Sequence, residues 1–141
     1  MSKNVCHGVN NNDFGPVTFD RDCSLVGLRL VHVSGAITYP YLNTDARWGN
    51  NGGKWTLITN SSKQIIFPGI LDPNLSAYAM YQLDGFGIND DLIFFNRGVP
   101  YHVVQGDVLQ VWWASDFSDN SYSENNYVGR HCMDVDVSCL V

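Results

Sequence analysis

The sequence predicts an all-β fold, an antiparallel β-sandwich of jelly-roll type with about nine strands and little or no helix. Short apolar or alternating runs recur along the whole chain, separated by turn-forming stretches such as "NNGG", "DP", "FGIND" and "QGD". No window keeps apolar residues at helical spacing for three turns without a Gly or Pro, so any helix is one short turn. A parallel sheet would need helical crossovers between its strands, and the chain supplies none.

The expected strands follow in order. "PVTFD" (16–20) comes first, then "SLVGLRLVHV" (24–33), where Val26, Leu28 and Leu30 share one face and Gly27 and Arg29 the other, as in a half-buried strand. "KWTLIT" (54–59), "KQIIFP" (63–68), "AYAMYQL" (77–83), "DLIFF" (91–95) and "PYHVV" (100–104) continue the pattern. "DVLQVWWA" (107–114) is apolar on both faces apart from Gln110, which suits the middle of a sandwich. In "RHCMDVDV" (130–137), Cys132, Asp134 and Asp136 alternate with Met133, Val135 and Val137, so the apolar side faces the core and the acids face water or a site.

A chain of 141 residues is long enough for one core, and neither repeat nor linker divides it, so 1–141 reads as a single domain. Residues 1–4 read as an added start or a disordered terminus. Hydrophobic content of 45% with 16% charged residues is that of a globular protein, and a net charge of -6 excludes a nucleic-acid-binding surface by repulsion of phosphates. No apolar run approaches the ~20 residues that cross a bilayer, so no membrane insertion is expected. "MSKNVC" lacks the apolar stretch of a signal peptide, so a secreted form would have lost its signal already.

Four cysteines, Cys6, Cys23, Cys132 and Cys139, lie two towards each end with no C-x-x-C pair, which favours disulfides over zinc and hence secretion into an oxidising, extracellular compartment. First and last strands commonly neighbour in sandwiches, so Cys23–Cys132 and Cys6–Cys139 are the expected bridges. The triplets beginning at Asn60 and Asn74 are glycosylation acceptor patterns compatible with secretion.

The segment between the last two strands concentrates Asp116, Asp119, Glu124 and several asparagines with no Lys or Arg among them. Packed carboxylates repel one another unless solvated or neutralised by a cation. Calcium takes six to eight oxygens from such groups, so calcium is the expected cofactor and a solvated loop the alternative. A helical EF-hand is excluded, because Ser121 stands where that loop needs Gly and Tyr127 where it needs Glu.

The Asp, the polar loop with "NN", the Gly and the valine-alternating last strand resemble the end of the bacterial calcium-dependent galactophilic lectins, which are small jelly rolls. The resemblance implies Asp116, Asn125 and Asn126 as calcium ligands and Gly129 as the turn before the last strand. "YLNTDARWG" (41–49) is similar to that family's other calcium loop, which implies a carbonyl ligand at Tyr41. Asp119 and Glu124 complete the ligand candidates. "GRHCMDVDV" and "LVGLRLVHVSG" also resemble small secreted β-domains of marine invertebrates.

Sugar sites pair fixed polar groups with a flat apolar platform, and Trp48, Tyr122 and Tyr127 are the expected platform residues because all three lie in loops. "GNNGGKW" is not a phosphate loop, since Trp55 follows the Lys where Ser or Thr is needed, and "DGFGIND" is a turn. His7, His32, His102 and His131 are scattered and read as ordinary strand residues. Nothing assembles a nucleophile, a base and an oxyanion hole, so no enzyme is expected, although a carboxylate pair for glycoside hydrolysis stays open. The expected function is carbohydrate binding, lectin-like and calcium-dependent, through loops at one end of the sandwich, with homo-oligomers compatible with it. The alternative is an extracellular matrix or adhesion module that binds calcium or mineral without sugar specificity.

Overall fold

The computed structural model describes residues 2–39, 44–50, 53–68, 85–117 and 127–140. Among these described residues eleven strands and one helical turn follow one another as β1 (Ser2–His7), β2 (Gly15–Thr18), β3 (Cys23–Tyr39), β4 (Thr44–Ala46), β5 (Gly49–Asn50), β6 (Gly53–Lys54), β7 (Thr56–Thr59), β8 (Ile65–Phe67), β9 (Leu92–Val103), β10 (Val108–Trp113), α1 (Ala114–Phe117) and β11 (Val128–Cys139). The larger sheet runs β1-β11-β3, with β9 along the first half of β3 and β4 along its end. The second sheet runs β2-β10-β7-β8, and β5 and β6 form a small hairpin. Every strand pairing among the described residues is antiparallel. The expected strand at 77–83 lies outside the described residues.

The core is the space between the two sheets. Leu25, Leu28 and Leu30 of β3, Met133 and Val135 of β11, and Ile93 of β9 are fully buried, as are Leu57, Val111 and Trp113 of the second sheet. Each such aliphatic side chain contributes roughly 1.5–3 kcal/mol relative to exposure. Leu25 and Leu28 both point inward although they are three residues apart. A register irregularity between Leu25 and Gly27 shifts the alternation there, and Val26, expected inside, is only half-buried. The same irregularity joins the two expected strands at 91–95 and 100–104 into β9, because Leu25 faces Tyr101 while Gly27 faces Asn96. Trp112, on the outer face of β10, is covered by Phe14 and Phe117 at ring separations of 5.1 and 6.0 Å, with the Lys63 ammonium over it at 4.9 Å.

β11 is the central strand, and this fixes the disulfides. β1 pairs along one side of it with Cys6 directly opposite Cys132, and β3 along the other, starting beside its far end. The bridges are therefore Cys6–Cys132 and Cys23–Cys139, with Cα separations of 4.1 and 5.4 Å. Both join the N-terminal to the C-terminal segment as expected, but with partners exchanged. The expectation put one strand beside the last, whereas two strands flank it. Residues 2–4, set aside from the sequence, belong to β1. Asp134 and Asp136 do face outward, where they pair with Lys3 (3.4 Å) and Arg29.

Candidate functional site

One pole of the sandwich gathers the segments that carried the sequence's chemistry. β3 ends at Tyr39 and β11 begins at Val128, with Thr38 opposite both Val128 and Asp45 of β4. The stretches 40–43 and 118–126 therefore leave from neighbouring strand ends. Two glycines of β3 and β11 with positive φ leave no room for a side chain here. A Cβ on Gly35 (φ +79°) would lie 2.2 Å from the Arg130 carbonyl, and one on Gly129 (φ +115°) 2.4 Å from that of Ala36. Only glycine combines that backbone with that clearance.

Asp116 sits in the helical turn that follows β10. Its carboxylate is buried and accepts hydrogen bonds from the backbone N–H of Asn12 (3.0 Å) and Asp13 (2.9 Å). Those two donors belong to a turn in which Asn11 and Asn12 adopt positive φ and the Gly8 N–H closes onto the Asp13 carbonyl at 2.8 Å. Asp13 in turn pairs with Arg130. Asp116 thus ties the N-terminal loop to the root of the acidic segment. Besides the ligand role expected for it, Asp116 therefore has a structural one, since each of its oxygens accepts from the backbone of a loop more than 100 residues away in sequence.

Beneath this pole lies an aromatic and imidazole cluster. Trp55, Trp113 and His7 form a parallel series, with ring separations of 5.7 and 6.3 Å and tilts of 26° and 16°. Tyr127 packs against both tryptophans at 5.3 Å, and His131 meets His7 at 5.9 Å and Trp48 at 4.7 Å. His7 and His131 are cross-strand partners. The Nδ1 of His7 lies 2.9 Å from the Gly8 carbonyl, which can only accept, so Nδ1 carries the proton and Nε2 is a bare acceptor. His131 Nε2 and His32 Nδ1 are 2.9 Å apart while their ring centres are 5.1 Å apart, so the rings meet edge to edge with one nitrogen donating to the other. His32 reaches the surface beside Arg47, whose guanidinium holds Asp91 at 2.9 Å.

Burial sets the charge of this cluster. Desolvation pushes His7 down to about 4, against smaller upward pulls from the Gly8 backbone and Asp13. His131 falls to about 3, first through desolvation and then through repulsion by His7, His32 and Arg47, against a smaller upward pull from the Arg47 backbone. Both rings are neutral at physiological pH.

Trp48 is fully buried, its indole N–H donating to the Asp90 carbonyl at 2.7 Å, and Tyr127 is buried as well. Both residues expected as platforms are thus packed beneath the surface of this fold. The segment 87–91 accounts for Trp48, because the Ile88 carbonyl accepts the Trp48 N–H at 3.0 Å and folds that segment over the ring. Tyr41, Asp119, Tyr122, Glu124, Asn125 and Asn126 lie outside the described residues. Among the described residues no group of three His, Cys, Asp or Glu side chains is arranged to hold a metal ion. The histidine cluster escaped the sequence reading, yet a signal was there. "CH" at 6–7 and "HC" at 131–132 mirror each other, so bridging Cys6 to Cys132 in antiparallel strands brings His7 and His131 together.

No protein-family profile matches the chain, and no curated protein matches it in sequence. A solved structure does match in fold. AJLec from the sea anemone Anthopleura japonica superposes with a TM-score of 0.83 at 21% identity, over 99% of this chain and 96% of that one.

Proposed function

We propose that this chain is a carbohydrate-binding protein of the extracellular space, lectin-like and calcium-dependent, whose site is built from the segments 40–43 and 118–126. The observation that carries the reading is the end-to-end likeness to AJLec, a protein whose name denotes a lectin, with almost nothing left over in either chain. Two further features support it. The strand ends that flank the two segments are adjacent, with Thr38 of β3 opposite both Val128 of β11 and Asp45 of β4. The second segment carries Asp119 and Glu124 without a cation, and its root is fixed by Asp116, which leaves those two carboxylates with Asn125, Asn126 and the Tyr41 carbonyl as the ligand set. Tyr122 is the remaining aromatic partner for a sugar face. Two disulfides fit an oxidising compartment.

A glycan array probed with the disulfide-intact chain, with calcium and with chelator, tests this. Selective retention that chelator abolishes is expected. Calcium binding by calorimetry with no glycan retained would favour a matrix or adhesion module, and turnover of a glycan would make the chain an enzyme.

A further inference from the structure

The opposite pole carries a second concavity. β3 begins there and β11 ends there, and the cavity of about 270 Å³ opens beside the Cys23–Cys139 bridge. Its floor is formed by Val17, Phe19 and Cys23, all buried, with the half-buried Cys139, and its rim by Asp20 and Arg21, both exposed. The turn "DRD" holding the rim is fixed from behind. Asp22 accepts the Gln105 N–H at 2.9 Å, and the Phe19 N–H donates to the Asp107 carbonyl at 2.9 Å. Asp20 and Arg21 are not spent in this way. Among the described residues neither side chain makes a hydrogen bond or ion pair, whereas Arg29, Arg47 and Arg130 each hold a carboxylate and Arg97 holds the Ile66 and Val99 carbonyls.

We infer that this cavity is a second sugar-binding site, independent of calcium. A carboxylate that only accepts and a guanidinium that only donates, both on the rim of one cavity with an apolar floor, match a saccharide ring, whose hydroxyls do both and whose C–H face is apolar. The cavity is somewhat smaller than the ~300–1,000 Å³ pockets of drug-sized ligands, so it fits one terminal sugar residue. The inference rests on the proposed lectin reading and extends it. β11 alone spans about 40 Å at a strand rise of ~3.3 Å per residue, so a single chain with a site at each pole bridges two glycans without oligomerising.

The test is a backbone amide NMR titration of the disulfide-intact chain in EDTA, using D-galactose, D-mannose and N-acetyl-D-glucosamine as separate probes. At least one should shift the amides of residues 17–23 and 137–139, and Arg21→Ala and Asp20→Ala should each abolish those shifts. Both side chains are exposed, so the variants keep the fold, which their unchanged spectra elsewhere would verify. No shift at that pole with any probe up to about 20 mM, well past the concentration that saturates a millimolar site, would overturn the inference, as would identical shifts in both variants. Calcium-dependent retention on a glycan array with this pole silent would leave the first site standing and remove the second. Shifts here with no calcium-dependent retention would do the reverse.

Discussion

His7 and His131 stay neutral because an imidazolium in the core would lose its hydration, a cost that the weaker attraction of Asp13 for His7 does not offset. In the unfolded chain both return to the ordinary value of about 6.5. Above that pH neither state is charged and the pair has no effect on stability. As pH falls below it, the unfolded chain takes up protons first, and stability is lost until the folded rings titrate near 4 and 3. At about 1.4 kcal/mol per unit of depression the loss is on the order of 3 kcal/mol for His7. Urea midpoints measured from pH 7 to 4 should therefore fall steeply, and His7→Phe should flatten that slope; an unchanged slope would mean that other groups drive it. Asp116→Asn should cost about 1–3 kcal/mol, because an amide offers one acceptor where the Asn12 and Asp13 N–H groups use two. The loss should appear in thermal melts with and without calcium, since the bond it breaks is to backbone. A loss seen only with calcium would return Asp116 to the metal.

The β3–β11 ladder is the element on which both poles depend, and its two positive-φ glycines show how little room it has. Gly129→Ala meets a carbonyl oxygen and a strained φ together, so a destabilisation of about 2 kcal/mol or more is expected from denaturant curves. Non-reducing peptide mapping should return Cys6–Cys132 and Cys23–Cys139. Removing either bridge should cost roughly 2–5 kcal/mol, since each closes a loop of more than 100 residues. This element also marks what the sequence could convey. The alternation of Met133 and Val135 with Asp134 and Asp136 was legible because a regular strand repeats every two residues. The inward step from Leu25 to Leu28 was not, because the irregularity that causes it is set by the partner strand β9. β1 was missed for the same reason: "SKNVCH" has almost no apolar pattern of its own and becomes a strand through β11 and a disulfide.

For the molecule as a whole, an all-β sandwich followed from runs and turns alone, since no stretch of the sequence keeps a helical apolar pattern for three turns and the helix among the described residues is the single turn α1. The site was less legible. Loop position suggested that Trp48 was available, but the chain between Gly87 and Asp91, 40 residues later, folds over it and takes its indole N–H. Loop charge suggested that Asp116 was a ligand, and it did not show that two N–H groups from the other end of the chain bond its oxygens. In both cases the deciding partner is distant in sequence, and no local pattern announces it. What local pattern does retain is the remaining charge of 118–126, and the proposed function stands on this, on the pairing of the strand ends that flank 40–43 and 118–126, and on the likeness in fold. The array with and without chelator decides it. Selective retention on one class of glycan in calcium, lost in chelator and restored by returning calcium, is the expected result; no selective retention in calcium, or retention that chelator leaves unchanged, would contradict it.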